Sequence, residues 1–273
     1  MTEDLAPSQV AVLLRERHPA FWGVTLFLFA ASVAGTVYVC GSMSGDMPMP
    51  GGWAMSMAWM RMPGQTWTGA GAAFLAMWVL MMLAMMLPSL MPALSQYRRS
   101  LSGEAARGEP PRGWLTLWVG LGYFFVWGLV GAAIYPLGVL LAAAEMRSEA
   151  LARSVPLAAG AILLLAGIVQ LTSWKAGLLR QCRNTPCDSS DAAHAGAAWR
   201  HGLKLGLRCA LCCAGFMTVL IVVGVMDLAA MAVVTVAITA ERLAASPDRA
   251  ARAAGILVLL GGAVAIVRSF SAA

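Results

Sequence analysis

"LGLRCALCCAGFMTVLIVVGVMDLAAMAVVTVAITA", residues 205–240, contains only two charged side chains, Arg208 and Asp227. At 1.5 Å per residue its 36 positions would form a helix of about 54 Å, against a hydrocarbon core of about 30 Å. The run must therefore project from the bilayer or break inside it. "VVGVMDLAAM" (222–231) is where it breaks. Gly224 weakens the helix, and the Asp227 carboxylate is costly at membrane depth. Segments of about 205–225 and 227–242 then give seven crossings, the sixth short or re-entrant; without the break there are six.

Outward from this stretch, apolar runs recur at roughly 21–40, 72–94, 114–143, 155–174 and 254–270. The 273-residue chain is 60% hydrophobic and 12% charged, whereas soluble domains carry about 25% charged residues. These features predict an all-α, polytopic transmembrane helix bundle. It comprises a tail at 1–20 and a single transmembrane domain at 21–273 with a Met-rich outer loop at 41–71. Arg15, Arg17 and His18 ahead of the run Phe21–Cys40 resemble a signal sequence. The run approaches a full span, however, and Val39 stands where a lipoprotein cysteine would want a small neighbour, so the segment reads as a retained first helix.

Basic residues mark alternate connections. Arg15 and Arg17 lie in the tail, Arg98, Arg99, Arg107 and Arg112 around 95–113, and Lys175, Arg180, Arg183, Arg200 and Lys204 around 174–204. The positive-inside tendency puts these in the cytoplasm, with the N-terminus, and 41–71 outside. Arg242, Arg249 and Arg252 then favour the broken helix. The abundance of Ala, Gly and Arg suggests a GC-rich bacterial genome, and hence a multi-pass protein of the bacterial inner (cytoplasmic) membrane. The net charge of +6 belongs to these connections and forms no basic, aromatic-laced surface, so lipid rather than nucleic acid is the expected surrounding.

Sulfur is the chemical anomaly. Of 18 methionines, Met43, Met47, Met49, Met55, Met57, Met60 and Met62 fall in the outer connection. There Trp53, Trp59 and Trp67 also suit a headgroup-anchored segment. On the second span Met77, Met81 and Met85 form one ridge at a spacing of four, and Met82 and Met86 another, with Met91 beyond. Cys209, Cys212, Cys213 and Met217 occupy an arc of about 140° on one helix, so all can face one neighbour or cavity. Cysteine and methionine also serve as apolar filler. Their concentration nevertheless points to a ligand or redox role, since thioether and thiolate sulfur select copper(I) and other soft transition metals. Asp227 lies between Met226 and Met231 and joins them as a candidate ligand, whereas Glu241 reads as an interfacial ion pair with Arg242 and Gln170 as an interhelical hydrogen bonder. Cys182 and Cys187 in "QCRNTPC" make a weak zinc site and suit a transient metal docking point or free cytosolic thiols.

Other chemistries lack their residues. There is no Gly-rich phosphate loop, no histidine pair at i, i+4 and no ordered Ser-His-Asp set. His18, His194 and His201 all lie outside the expected spans, which disfavours a bis-histidine haem bundle.

"MWVLMMLAMMLPSLMP" (77–92), "VQLTSWK" followed by "QCRNTP" (169–186), "CALCCAGFM" (209–217), "GVMDLAAM" (224–231) and "ER" (241–242), in this order, resemble an uncharacterised bacterial family of predicted metal-binding integral membrane proteins. The likeness covers roughly 72–270 and implies a compact bundle whose Met, Cys and acidic motifs face one another. Leu178, Ala214 and Arg242 depart from the family pattern, which has cysteine, an aromatic and lysine there.

The expected function is binding or transfer of a soft metal, most simply copper(I). The outer methionines collect it, and Met77, Met81, Met82, Met85 and Met86 lead to a site of Cys209, Cys212, Cys213, Met217, Met226, Asp227 and Met231. A donor or acceptor protein for the metal is a conceivable partner. The alternative is a membrane redox enzyme or component using Cys209, Cys212 and Cys213 or a bound metal, which leaves open whether the chain is an enzyme.

Overall fold

In lipid, backbone N–H and C=O groups have no water to bond, so the apolar runs close their hydrogen bonds internally as helices. A computed structural model describes residues 19–42, 46–50, 52–61, 63–101, 112–183, 194–244 and 246–271. Outside the described residues lie Met43, Met62, Cys187, Arg107 and all of the N-terminal tail except Pro19 and Ala20, which begin the first helix.

Among the described residues the helices are α1 (Pro19–Ser42), α2 (Trp67–Ser100), α3 (Arg112–Arg147), α4 (Glu149–Gln170), α5 (Ser173–Arg183), α6 (Ala195–Val223), α7 (Leu228–Leu243) and α8 (Pro247–Ser271). All but α5 and α7 are long and apolar enough to cross a membrane, which makes 6 such helices. Large apolar side chains such as Phe27, Leu137, Leu140, Leu257, Val267 and Phe270 point outward, as they must in a multi-pass membrane protein.

The long run breaks at the expected place. α6 stops at Val223 and α7 starts at Leu228. Gly224 has φ 141, a conformation that side-chain-bearing residues rarely adopt, and its N–H donates to Leu220 O at 2.9 Å. Asp227 then caps α7, its Oδ1 accepting from Ala230 N at 2.8 Å. With 16 residues α7 is about 24 Å long, shorter than the hydrocarbon core.

The connection 41–71 is more ordered than a loop. β1 (Asp46–Met49) and β2 (Trp53–Ser56) form an antiparallel hairpin with Met47 opposite Met55 and Met49 opposite Trp53. Trp53 Nε1 donates to Ala152 O at 2.9 Å, and the Trp59 ring stacks near Phe74 and covers Gly138. Two of the three tryptophans expected at the headgroups thus lock the hairpin to the bundle. Trp67 remains exposed, with the Arg61 guanidinium over its ring.

α2 lies at the centre. Trp78, Tyr97 and the methionines from Met81 to Met86 are among the most deeply buried side chains, and Trp78 Nε1 donates to Trp127 O of α3 at 2.9 Å. α3 and α6 pack extensively. Their crossing is close because Gly122 and Gly202 lack side chains: a Cβ on Gly202 would stand 2.2 Å from Val119 O. His201, expected outside the spans, lies in the first half of α6 and stacks on Tyr97 of α2. The stretch 174–204, read as a connection, contains the amphipathic helix α5, which lays Lys175 and Leu179 onto the bundle.

Candidate metal centre

Cys209 and Met86 sit near the middles of α6 and α2, and their side chains meet in the main core. Cys209 Sγ lies 3.9 Å from Met86 Sδ and 3.8 Å from Cys213 Sγ. Two sulfurs bound to one ion at about 2.3 Å stand roughly 3.8–4.0 Å apart in tetrahedral or trigonal geometry, so both separations fit a shared soft ion. Tyr123 of α3 donates its hydroxyl to Cys209 Sγ at 2.9 Å, fixing that sulfur from a third helix. Among the described residues no group of three Cys, His, Asp or Glu is arranged to hold a metal, so the set needs its thioether.

The arc on α6 is divided between two surroundings. Cys209, Cys213 and Met217 enter the main core with Met86, while Cys212 lies in a small separate cluster with Leu179 and Ala251, against which Cys182 packs. Successive residues on a helix point about 100° apart, which is why the vicinal pair serves both sides.

Both methionine ridges of α2 are interior: Met77, Met81, Met82, Met85 and Met86 are buried in the same core as Cys209 and Cys213, as are Met91 and Met231. Met77 also lines a cavity of about 400 Å³ beneath the hairpin, together with Met57, Met60 and the half-buried Met226. These four thioethers come from the short helical turn at 57–60 that follows β2, from α2 and from the α6–α7 break. From Met77 to Met86 the rise along α2 is about 13.5 Å, and buried methionines occupy the interval. Asp227 is placed differently. It is exposed, and its carboxylate is engaged in capping α7.

Charge surrounds the thiols. Lys175 Nζ bonds Glu241 Oε2 at 2.9 Å and donates to Cys212 O at 2.6 Å, with both members of the ion pair almost fully buried. Gln170 donates to the other Glu241 oxygen. Burial by itself would lower the pKa of Lys175; Cys212 and Glu241 outweigh it, and the ammonium is held above its ordinary value. Arg242 points elsewhere: Nη2 donates to Cys182 Sγ at 2.8 Å, and Nη1 to Ser89 O at 3.3 Å and Ser89 Oγ at 3.4 Å. The expected interfacial Glu241–Arg242 pair is thus corrected. Both residues are buried and serve different partners, because neighbours in a helix face different directions. Arg183 ties the end of α7 down, donating to Ala244 O at 2.9 Å.

Sequence reasoning undervalued Lys175, Arg242 and Tyr123. The first two carried a legible signal, a basic residue in "TSWK" and an acidic–basic pair in "AER", beside apolar runs. Tyr123 carried none.

A family model described as a copper chaperone, PpoB2, matches residues 75–265, and the chain belongs to that family. The match takes in the methionine ridges, the cysteine arc and Glu241–Arg242, and begins after the hairpin. The family's name places the chain among proteins that handle copper. No curated protein and no solved structure matches it.

Proposed function

We propose that the chain is a membrane carrier for copper(I), with the ion as its cargo. The observation behind this reading is the meeting of Met86 Sδ, Cys209 Sγ and Cys213 Sγ from two helices at 3.8 and 3.9 Å in a water-poor core. Copper(I) is soft and prefers such donors, and thioether remains a ligand where thiols would oxidise. The methionine-lined cavity beneath the hairpin receives the ion on the outer side of a bacterial inner membrane, with the N-terminus cytoplasmic. Met77, Met81, Met82 and Met85 conduct it to the thiols, and Met217 and Met231 complete the sulfur-rich wall. Met226 belongs to the receiving cavity. Asp227 stays outside the donor set because its carboxylate caps α7.

The test is metal analysis of the purified full-length protein after copper(I) loading under reducing conditions. Wild type retains more copper through size exclusion than C209S/C213S does. Equal copper in the two proteins, or none in either, would reject the reading.

A further inference from the structure

We infer that Cys182 of α5 and Cys212 of α6 form a second copper(I) site, on the side of the sulfur core that α5 covers, from which the ion is released. This rests on the carrier reading above and extends it past the Met86–Cys209–Cys213 set. Cys212 does not join that set; it turns into the cluster shared with Leu179, against which Cys182 packs. Cys182 is only partly buried, in contrast to Cys209, Cys212 and Cys213.

The placement of Cys182 is held from both sides. Lys175, Leu179 and Cys182 follow at i, i+4 and i+7, one face of α5. Lys175 pins that face to α6 through Cys212 O and to α7 through Glu241. Arg242 reaches across from α7 to the Cys182 sulfur.

Arg242 distinguishes this arrangement from ordinary packing of two small side chains. It is 8% exposed, its Nε has no partner, and among the described residues it bonds no carboxylate, only Ser89 and Cys182. A buried cation left without an anion is costly. Two thiolates around a monovalent ion carry one net negative charge, which is what this guanidinium lacks, whereas Lys175 already has Glu241. A divalent ion on the same thiolates would leave Arg242 uncompensated.

Transfer then proceeds by ligand exchange along contiguous sulfurs, Cys209 and Cys213 first, then Cys212 and Cys182. Copper stays copper(I) and no electron moves. Cys212 and Cys182 give up their thiol protons as their bonds to copper form, and Cys209 and Cys213 take up two protons as theirs break. The recipient is a protein offering thiolate or thioether donors of its own on the α5 side.

The experiment measures copper(I) bound to full-length wild type, C182A and C209A, titrated under a chelator that buffers copper(I), with iodoacetamide labelling of Cys182 read by mass spectrometry. Wild type binds one equivalent more than C182A, C209A keeps the equivalent at Cys182, and copper(I) protects Cys182 in wild type from alkylation. R242Q, which leaves both thiols in place, weakens the second equivalent by about tenfold or more. Unchanged stoichiometry in C182A, or Cys182 labelled at the same rate with and without copper(I), overturns the inference while leaving the first site standing. No copper in wild type refutes the carrier reading itself.

Discussion

The α4–α8 pair and the α2–α6 pair are built from equally apolar sequence and do opposite things. α4 and α8 meet through small residues: a Cβ on Gly262 would stand 2.9 Å from Leu164 N, and the opposing Gly160 is as tightly enclosed. Their contact holds no sulfur and works by close approach of backbones. α2 and α6 meet instead through long, polarisable side chains, with Met86 reaching Cys209 and the backbones farther apart. α2 has 50% of its apolar window buried and α8 has 17%, so the methionine ridges lie on the central helix and the small-residue seam at the periphery. Inside a bilayer, apolarity alone does not draw a side chain inward. Sulfur and charge are sequestered here with part of the Leu, Val and Phe, and many of the remaining apolar side chains face outward.

The strongest way to break this contrast is to remove one partner of the buried ion pair beside the sulfur site. E241A leaves Lys175 uncompensated and costs roughly 3–5 kcal/mol, seen as a lower unfolding midpoint in detergent, whereas K175M/E241Q recovers most of that loss. G262A strikes the other region. Overpacking the α4–α8 seam costs about 1–3 kcal/mol, yet copper(I) affinity measured by chelator competition stays at the wild-type value. M86L gives the converse. Leucine nearly conserves volume, so stability changes by less than about 1.5 kcal/mol, while the lost thioether lowers copper(I) affinity by about tenfold. If M86L and G262A alter stability and affinity in parallel, the division between a packing region and a sulfur region fails.

Much of this division is legible in the sequence, for physical reasons. Span length is set by bilayer thickness, so apolar runs locate the helices. Gly224 and Asp227 announce the break because a positive φ and an N-cap each demand particular residue types. Methionines four apart must share a face, and both α2 ridges prove interior. Less was visible where partners are distant in sequence. Nothing near Lys175 announces Glu241, and nothing near Tyr123 announces Cys209. The hairpin was also missed. Pro48 lies within β1, and prolines argue against strands, although "MPMPGG" does carry turn residues and the strand sits at an edge where proline is tolerated.

The smallest expected effect concerns Asp227, which resembled a ligand in sequence and is a cap in structure. D227A costs about 1 kcal/mol in unfolding experiments through loss of the bond to Ala230 N, and D227N retains most of the stability. Copper(I) loading is unchanged in both. A loss of loading in D227N at normal stability would return the carboxylate to the donor set.

The central claim is that sulfur from α2 and α6 converges on one copper(I) ion. X-ray absorption at the copper edge of the loaded full-length protein tests it most directly. The account predicts a copper(I) edge and a first shell of sulfur alone at about 2.3 Å, with less bound copper and fewer sulfurs per copper in M86L/C209S/C213S. A shell of nitrogen or oxygen, or a sulfur shell unaltered in that triple variant, would contradict it.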